Sequence, residues 1–188
     1  AAENVYAISD TTDFAFGGES RRVGLGPLMG NAQGFLAHFC ITVSVTADGQ
    51  RVPLGLLALE TWVRAERSKR ASSKKELKLI QERESARWAR VALAAAERVG
   101  PATKLIHLMD REGDIYDLYC HLLARQLSFI IRVAQNRATL GDTGHLFEAL
   151  QEAEVIVERE VPLSRRGSNR PSAVRKVHPP RHSRVAKL

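Results

Sequence analysis

The chain has 188 residues, 44% of them hydrophobic and 26% charged, the balance of an ordinary globular domain with a core of its own. This excludes collagen-like, coiled-coil and wholly disordered chains, and no apolar run approaches the ~18 residues that a membrane-spanning helix needs. The net charge is +7. All of the excess sits in residues 161–188, which hold no acid and carry Arg165, Arg166, Arg170, Arg175, Lys176, Arg181, Arg184 and Lys187. Such a tail attracts polyanions by counterion release, or is a plainly solvated end. No signal peptide is legible at the start, and Cys40 and Cys120, each within an apolar pattern, read as reduced core residues of a cytoplasmic protein.

In chain order, NVYAIS at 4–9 predicts a buried strand that ends at Asp10. Six glycines between 17 and 34 predict a long loop, and Gly24-Leu25-Gly26 lacks the further spacing of a phosphate cradle. FLAHFCITVSV at 35–45 and VPLGLLALETWV at 52–63, joined by Asp48-Gly49, complete a three-strand antiparallel meander. A charge-dense stretch follows, with Ser73 and Glu76 spaced as a capping box and Ser85 interrupting the apolar face. Trp88, Val91, Ala92, Ala95 and Val99 then predict a helix over about 84–99, stopped by Gly100-Pro101. KLIHLMD at 104–110 is a second buried strand ending at an aspartate, and Asp114 is placed to cap a helix striped by Ile115, Leu118, Tyr119, Leu122 and Leu123. LSFIIRV at 127–133 predicts another buried strand, 143–153 a short helix, and VIVEREVPL at 155–163 an edge strand.

This order is that of an α/β domain: an RNase H-like mixed sheet, the antiparallel meander extended by parallel strands, with helices on both faces. Asp10 and Asp110 then share one context, each closing an apolar strand at the carboxyl edge where such sheets place their sites. Two adjacent carboxylates repel unless a cation compensates them, and hard oxygen donors suit Mg²⁺ or Mn²⁺. A two-ion site would serve phosphodiester displacement. The alternative is that both aspartates merely cap turns.

DTTDF at 10–14 and DREGDIYDLY at 110–119 resemble the first two acidic motifs of bacterial DDE transposases of the insertion-sequence-four family. GFLAHFCITV at 34–43, PLGLLALETW at 53–62, ERESARW at 82–88 and FIIRVAQNR at 129–137 are similar to further stretches of that family, in the same order. The resemblance implies metal-dependent DNA cleavage and strand transfer in cut-and-paste transposition, with Asp10 and Asp110 as catalytic, metal-ligating residues. It implies a third ligand, a glutamate on a later helix that is not in this chain. Residues 1–154 would be an incomplete catalytic core and 155–188 the opening of a β-rich insertion, poorly ordered without its partner strands. The implied partners are transposon-end and target DNA and a second copy of the protein in a synaptic homodimer, in the bacterial cytoplasm at the nucleoid. A core lacking its third acid is expected to be inactive alone.

Arg132 and Arg137, leaving a buried strand near the expected metal site, and Arg111 beside Asp110 are the candidate DNA contacts. Plain surface charge is the competing reading for Arg132 and Arg137, and a salt bridge to Asp114 or Asp117 for Arg111. Glu112 reads as a turn residue or salt-bridge partner, Glu60 as an arginine partner with support of the site as the alternative, and Glu148 comes too soon after Asp110 to be the third ligand. His38 and His107 read as satisfied core residues, and Trp62 and Trp88 as core anchors. Two other functions fit the same sequence: a truncated, non-catalytic DNA-binding or dimerising inhibitor, and a stand-alone RNase H-like nuclease.

Overall fold

The computed structural model describes residues 5–18, 20, 22–28, 32–65, 74–140, 144–158, 160–163 and 182–187, without the side chains of 74–83, 186 and 187. The chain divides into two compact units, 1–135 and 136–188. The first is a mixed α/β unit whose strands are β1 (Val5–Phe16), β2 (Gly26–Pro27), β3 (Gln33–Val45), β4 (Arg51–Trp62), β5 (Leu105–Met109) and β6 (Ser128–Ile131). β3 pairs antiparallel with β1 on one edge and with β4 and the two-residue β2 on the other. β5 adds to β1 in parallel, and β6 adds to β5 in parallel, so the predicted meander and its parallel extension are both present. The turn between β3 and β4 has Gly49 at φ 83°, a left-handed conformation that glycine adopts without strain.

β1 is twice the predicted length. It runs through Asp10 to Phe16, because its antiparallel ladder with β3 continues to Phe16↔Gln33 after the parallel ladder with β5 has ended at Ser9↔Met109. The predicted glycine loop begins where expected, after Phe16, but contains β2 and gives way to β3 already at Gln33. Gly34 is required there, since a Cβ at this position would lie 2.0 Å from the Phe14 carbonyl oxygen and 2.6 Å from Leu28 Cδ1.

Helix α1 (Lys74–Val99) is one continuous element. Ser85 does not break it, and Ser73, half of the predicted capping box, lies outside the described residues. Its stripe of Trp88, Val91, Ala92 and Ala95 is buried against alternate residues of the sheet: Ala7, Cys40, Ala58 and Leu105 in one cluster, Met109 in a second. Helix α2 (Tyr116–Ala124) packs Leu118 and Leu122 into that second cluster on the same side. Leu123, expected in the stripe, is exposed, and so is Cys120, because both point away from the sheet side of α2. The expectation of helices on both faces is corrected accordingly: among the described residues of this unit, both helices cover one face. The other face keeps Ile41, Leu59 and Ile130 open to solvent, Leu59 and Ile130 by more than half.

A network of charged side chains ties the end of β4 to α1. Arg64 grips Glu84 with Nε and one Nη (2.8 and 2.7 Å), and the Arg87 guanidinium lies 4.0 Å over the Trp62 ring. Glu60 accepts from Arg90 and sits 3.0 Å from Arg87 Nε, the arginine partnership expected of it. Trp88 is a core anchor as expected, whereas Trp62 is half-buried beneath Arg87.

The second unit holds helix α3 (Leu146–Glu152) and a two-strand ladder of β7 (Glu160–Leu163) with β8 (Arg184–Lys187). The predicted strand over 155–163 forms only in its second half, and Val155, Ile156 and Val157 are exposed. Asn136 accepts the Phe147 amide (2.8 Å) at the start of α3 and donates to Glu148 (3.1 Å). β8 is a partner for β7 that the sequence reading did not foresee. The rest of the basic tail, Arg165 to Arg181, lies outside the described residues.

Candidate functional site

The last row of the parallel ladders is Ser9–Met109–Ile131, one residue from each of β1, β5 and β6. The next position on each chain is Asp10, Asp110 and Arg132. In-register neighbours on parallel strands share a face of the sheet, so these three positions lie side by side at the carboxyl edge, one step past the last paired row. Ser9 and Met109 are buried on the helix side, hence Asp10, Asp110 and Arg132 emerge on the uncovered side, and all three are exposed. The Arg132 amide continues the ladder by donating to the Met109 carbonyl (3.0 Å). The sequence placed both aspartates at strand ends. The structure places Asp110 there and Asp10 within a strand, at the point where its parallel neighbour stops.

After Asp110 the chain makes a single 3₁₀ turn, Arg111–Gly113, for which Asp110 is the N-cap. Its Oδ1 accepts the Glu112 amide (2.8 Å), and Asp10 Oδ1 accepts the Thr11 amide (2.8 Å). Each carboxylate is thus oriented through one oxygen by its own backbone. The turn brings Glu112 towards both aspartates. The Glu112 carboxyl is held above the usual carboxylate range by partial burial, then by the negative charges of Asp110 and Asp10. Three carboxyl groups therefore share one electrostatic neighbourhood, and Glu112 is the member that sequence reasoning passed over as a turn residue. Its spacing from Asp110 gave no signal, because only the 3₁₀ turn folds it back. Glu112 also lines a cavity of about 450 Å³ with Thr11, Asp13, Trp62, Arg64 and Trp88.

Asp114 does not cap α2; Ile115 occupies the N-cap position. The Asp114 side chain is buried and ties three segments together. Oδ2 accepts the amides of Ala134 (2.7 Å) and Gln135 (2.9 Å), and Oδ1 accepts the Tyr119 hydroxyl (3.0 Å). Two of these donors belong to the chain just after Arg132, so Asp114 fixes the direction in which that chain leaves the sheet. Arg111 is an exposed member of the 3₁₀ turn. Arg137 belongs to the second unit, where its carbonyl accepts the Leu146 amide (2.9 Å).

The two core histidines differ from expectation. His38 packs at a tilt of 54° against Trp88 (4.3 Å between centroids), and its Nδ1 lies 2.8 Å from Thr11 Oγ1, which satisfies half of the ring. Neither ring nitrogen of His107 has a hydrogen-bond partner among the described residues. Burial lowers both rings to a pKa of about 4.

The donor set suits a hard cation in type, since Asp10 and Asp110 offer carboxylate oxygens. In number it is short. Among the described residues no group of three or more His, Cys, Asp or Glu is arranged to hold a metal ion. No described helix is long and apolar enough to cross a membrane. Compared with models of known protein families the chain matches none, and a comparison with curated proteins finds no similar one.

Proposed function

We propose that this chain is the catalytic-core portion of a DNA transposase with an RNase H-like sheet, whose parent protein cuts DNA and joins the freed 3′ ends to a target. One observation carries the reading: Asp10, Asp110 and Arg132 continue three adjacent, in-register parallel strands and emerge together on one face. The strand order β4-β3-β1-β5-β6, with three antiparallel strands followed by two parallel ones, supports the RNase H-like assignment. The resemblance of residues 10–14 and 110–119 to transposase motifs supports the choice of DNA as substrate.

In this reading Asp10 and Asp110 hold divalent magnesium or manganese, which supplies charge neutralisation and an activated water or hydroxyl for attack on phosphorus. A third carboxylate from another segment completes the set, consistent with the two-donor count. Arg132 sets a guanidinium fork next to the pair, where it binds a non-bridging phosphate oxygen and steers the scissile strand. Asp114 keeps that arginine's exit path fixed, and the backbone amides of Thr11 and Glu112 each orient one of the two aspartates.

The test is DNA cleavage and end joining by the protein translated from the complete reading frame around these codons. Asp10→Asn and Asp110→Asn each abolish both steps, and Arg132→Ala weakens substrate binding. Retention of cleavage by either aspartate variant refutes the proposal. The 188-residue chain alone is expected not to nick DNA. Metal-dependent nicking by it, lost in Asp10→Asn, would instead establish the stand-alone nuclease.

A further inference from the structure

Beyond Asp10, β1 leaves the parallel strands behind and continues as a ribbon paired with β3 alone, Thr11–Phe16 against Gln33–His38, while β3 keeps β4 and β2 on its other side. The alternation that puts Asp10 on the uncovered face puts Thr12, Phe14 and Phe16 there too, with Phe35 as the register partner of Phe14. The Phe14 and Phe35 rings stack at 4.8 Å between centroids and 15° between planes, and Phe16 lies 6.1 Å from Phe35. Yet Phe14 and Phe16 remain 45% and 38% exposed. The Arg22 guanidinium sits 5.7 Å over Phe16, and its side chain donates to the Gly17 carbonyl (3.1 Å). The Arg22 backbone is held by Gln33 Oε1 (2.8 Å), whose amide nitrogen in turn donates to the Ser20 carbonyl (2.6 Å).

We infer that Phe14, Phe16 and Phe35 form a stacking platform for unpaired bases of the DNA strand whose phosphate is held at Asp10, Asp110 and Arg132. The inference rests on the site proposed above and adds a binding surface to it. Three observations select a nucleic-acid strand as the occupant. The platform lies on the same face and the same strand as Asp10, four residues or about 13 Å further along, a span of about four nucleotides at the ~3.4 Å rise per base of one strand. Its rim carries a guanidinium, complementary to a phosphate. Phe14 and Phe16 leave aromatic surface exposed beside the Phe14–Phe35 stack, and aromatic surface is the sequence-tolerant contact by which single strands are bound. A cross-strand pair serving the sheet alone needs only Phe14 and Phe35; Phe16, with Arg22 over its ring, extends the aromatic surface beyond that pair.

The experiment is fluorescence anisotropy of a labelled single-stranded DNA of about 20 nucleotides titrated with the 188-residue chain across a salt series, with the matching blunt duplex beside it. Phe14→Ala and Phe16→Ala each weaken single-strand binding about 5-fold or more, leave the salt slope unchanged, and affect the duplex less. Phe14→Leu, which keeps apolar bulk and the ribbon fold, weakens binding as Phe14→Ala does, and Phe14→Trp restores it. Unchanged affinity in the alanine variants, or full affinity in Phe14→Leu, overturns the platform. If Arg132→Ala weakens binding while the phenylalanine variants do not, the platform falls and the site stands. If the phenylalanine variants weaken binding while Arg132→Ala does not, the site reading falls and the platform stands alone. A wild-type chain that binds neither DNA overturns both.

Discussion

Acid should loosen the first unit well before its ion pairs titrate. His38 and His107 are fully buried on the helix side of the sheet, and burial lowers each from 6.5 to about 4. In the unfolded chain both regain the ordinary value, so below it the unfolded state binds protons that the folded state refuses. Stability is therefore complete above about pH 6.5 and falls continuously towards pH 4. With ~1.4 kcal/mol per pH unit per site, acidification from about pH 7 to pH 5 costs about 2 kcal/mol for each ring, or about 4 kcal/mol together. That is a large share of the 5–15 kcal/mol typical of a domain. Glu60 and Glu84 act in a lower window. Hydrogen bonds from Arg90 and Arg64 hold their carboxyls below the ordinary 4.5, so their contribution is lost only as the pH falls below that value. The assay is urea unfolding followed by tryptophan fluorescence, to which only Trp62 and Trp88 of the first unit contribute. The midpoint should drop steeply between about pH 6.5 and pH 5, and His107→Leu and His38→Gln should each remove about half of that slope. A flat midpoint across this range, or an unchanged slope in both variants, refutes the burial argument.

Other outcomes follow from the same contacts. Asp114→Ala strands two backbone amides and a tyrosine hydroxyl and should cost about 3–5 kcal/mol by urea unfolding, while Asp114→Asn, which keeps one acceptor for the amides, should cost less than half of that. Gly34→Ala forces a methyl against the Phe14 carbonyl and should cost roughly 1–3 kcal/mol, with hydrogen exchange raised along the Thr11–Phe16 ribbon more than in β5. Leu122→Ala, at the centre of the cluster between α1, α2 and β5, should cost about 2–5 kcal/mol, and Leu123→Ala, one residue further on and 64% exposed, should stay within about 0.5 kcal/mol of the wild type. Equal effects at the two leucines would show that α2 is rotated from the orientation described.

What the sequence made legible was what periodicity encodes. Trp88, Val91, Ala92 and Ala95 announce α1 because one helical face is buried, and the apolar runs ending at residues 10 and 110 announce adjacent strands. The length of β1 was hidden, because Asp10 and Thr12 interrupt the apolar pattern on a face that no described helix covers. Had the even-numbered series Asp10, Thr12, Phe14, Phe16 been taken as one strand face, the aromatic ribbon would have been legible as well. Asp114 misled for a different reason. An aspartate before a helix is a good cap in isolation, but this one finds three better donors, two of them 20 and 21 residues away. Glu112 carried no periodic signal at all, since a single 3₁₀ turn decides where it points. The histidines were placed correctly in the core, but sequence does not show that His107 has no hydrogen-bond partner among the described residues.

The central claim is that Asp10 and Asp110 act together on one cation, and paramagnetic broadening by Mn²⁺ tests it most directly. In an amide spectrum of the 188-residue chain, low Mn²⁺ should erase signals around Asp10, Asp110 and Arg132 first, and either Asp10→Asn or Asp110→Asn should abolish the effect at all three positions. Broadening centred elsewhere, or persisting at one aspartate after loss of the other, would contradict a shared site.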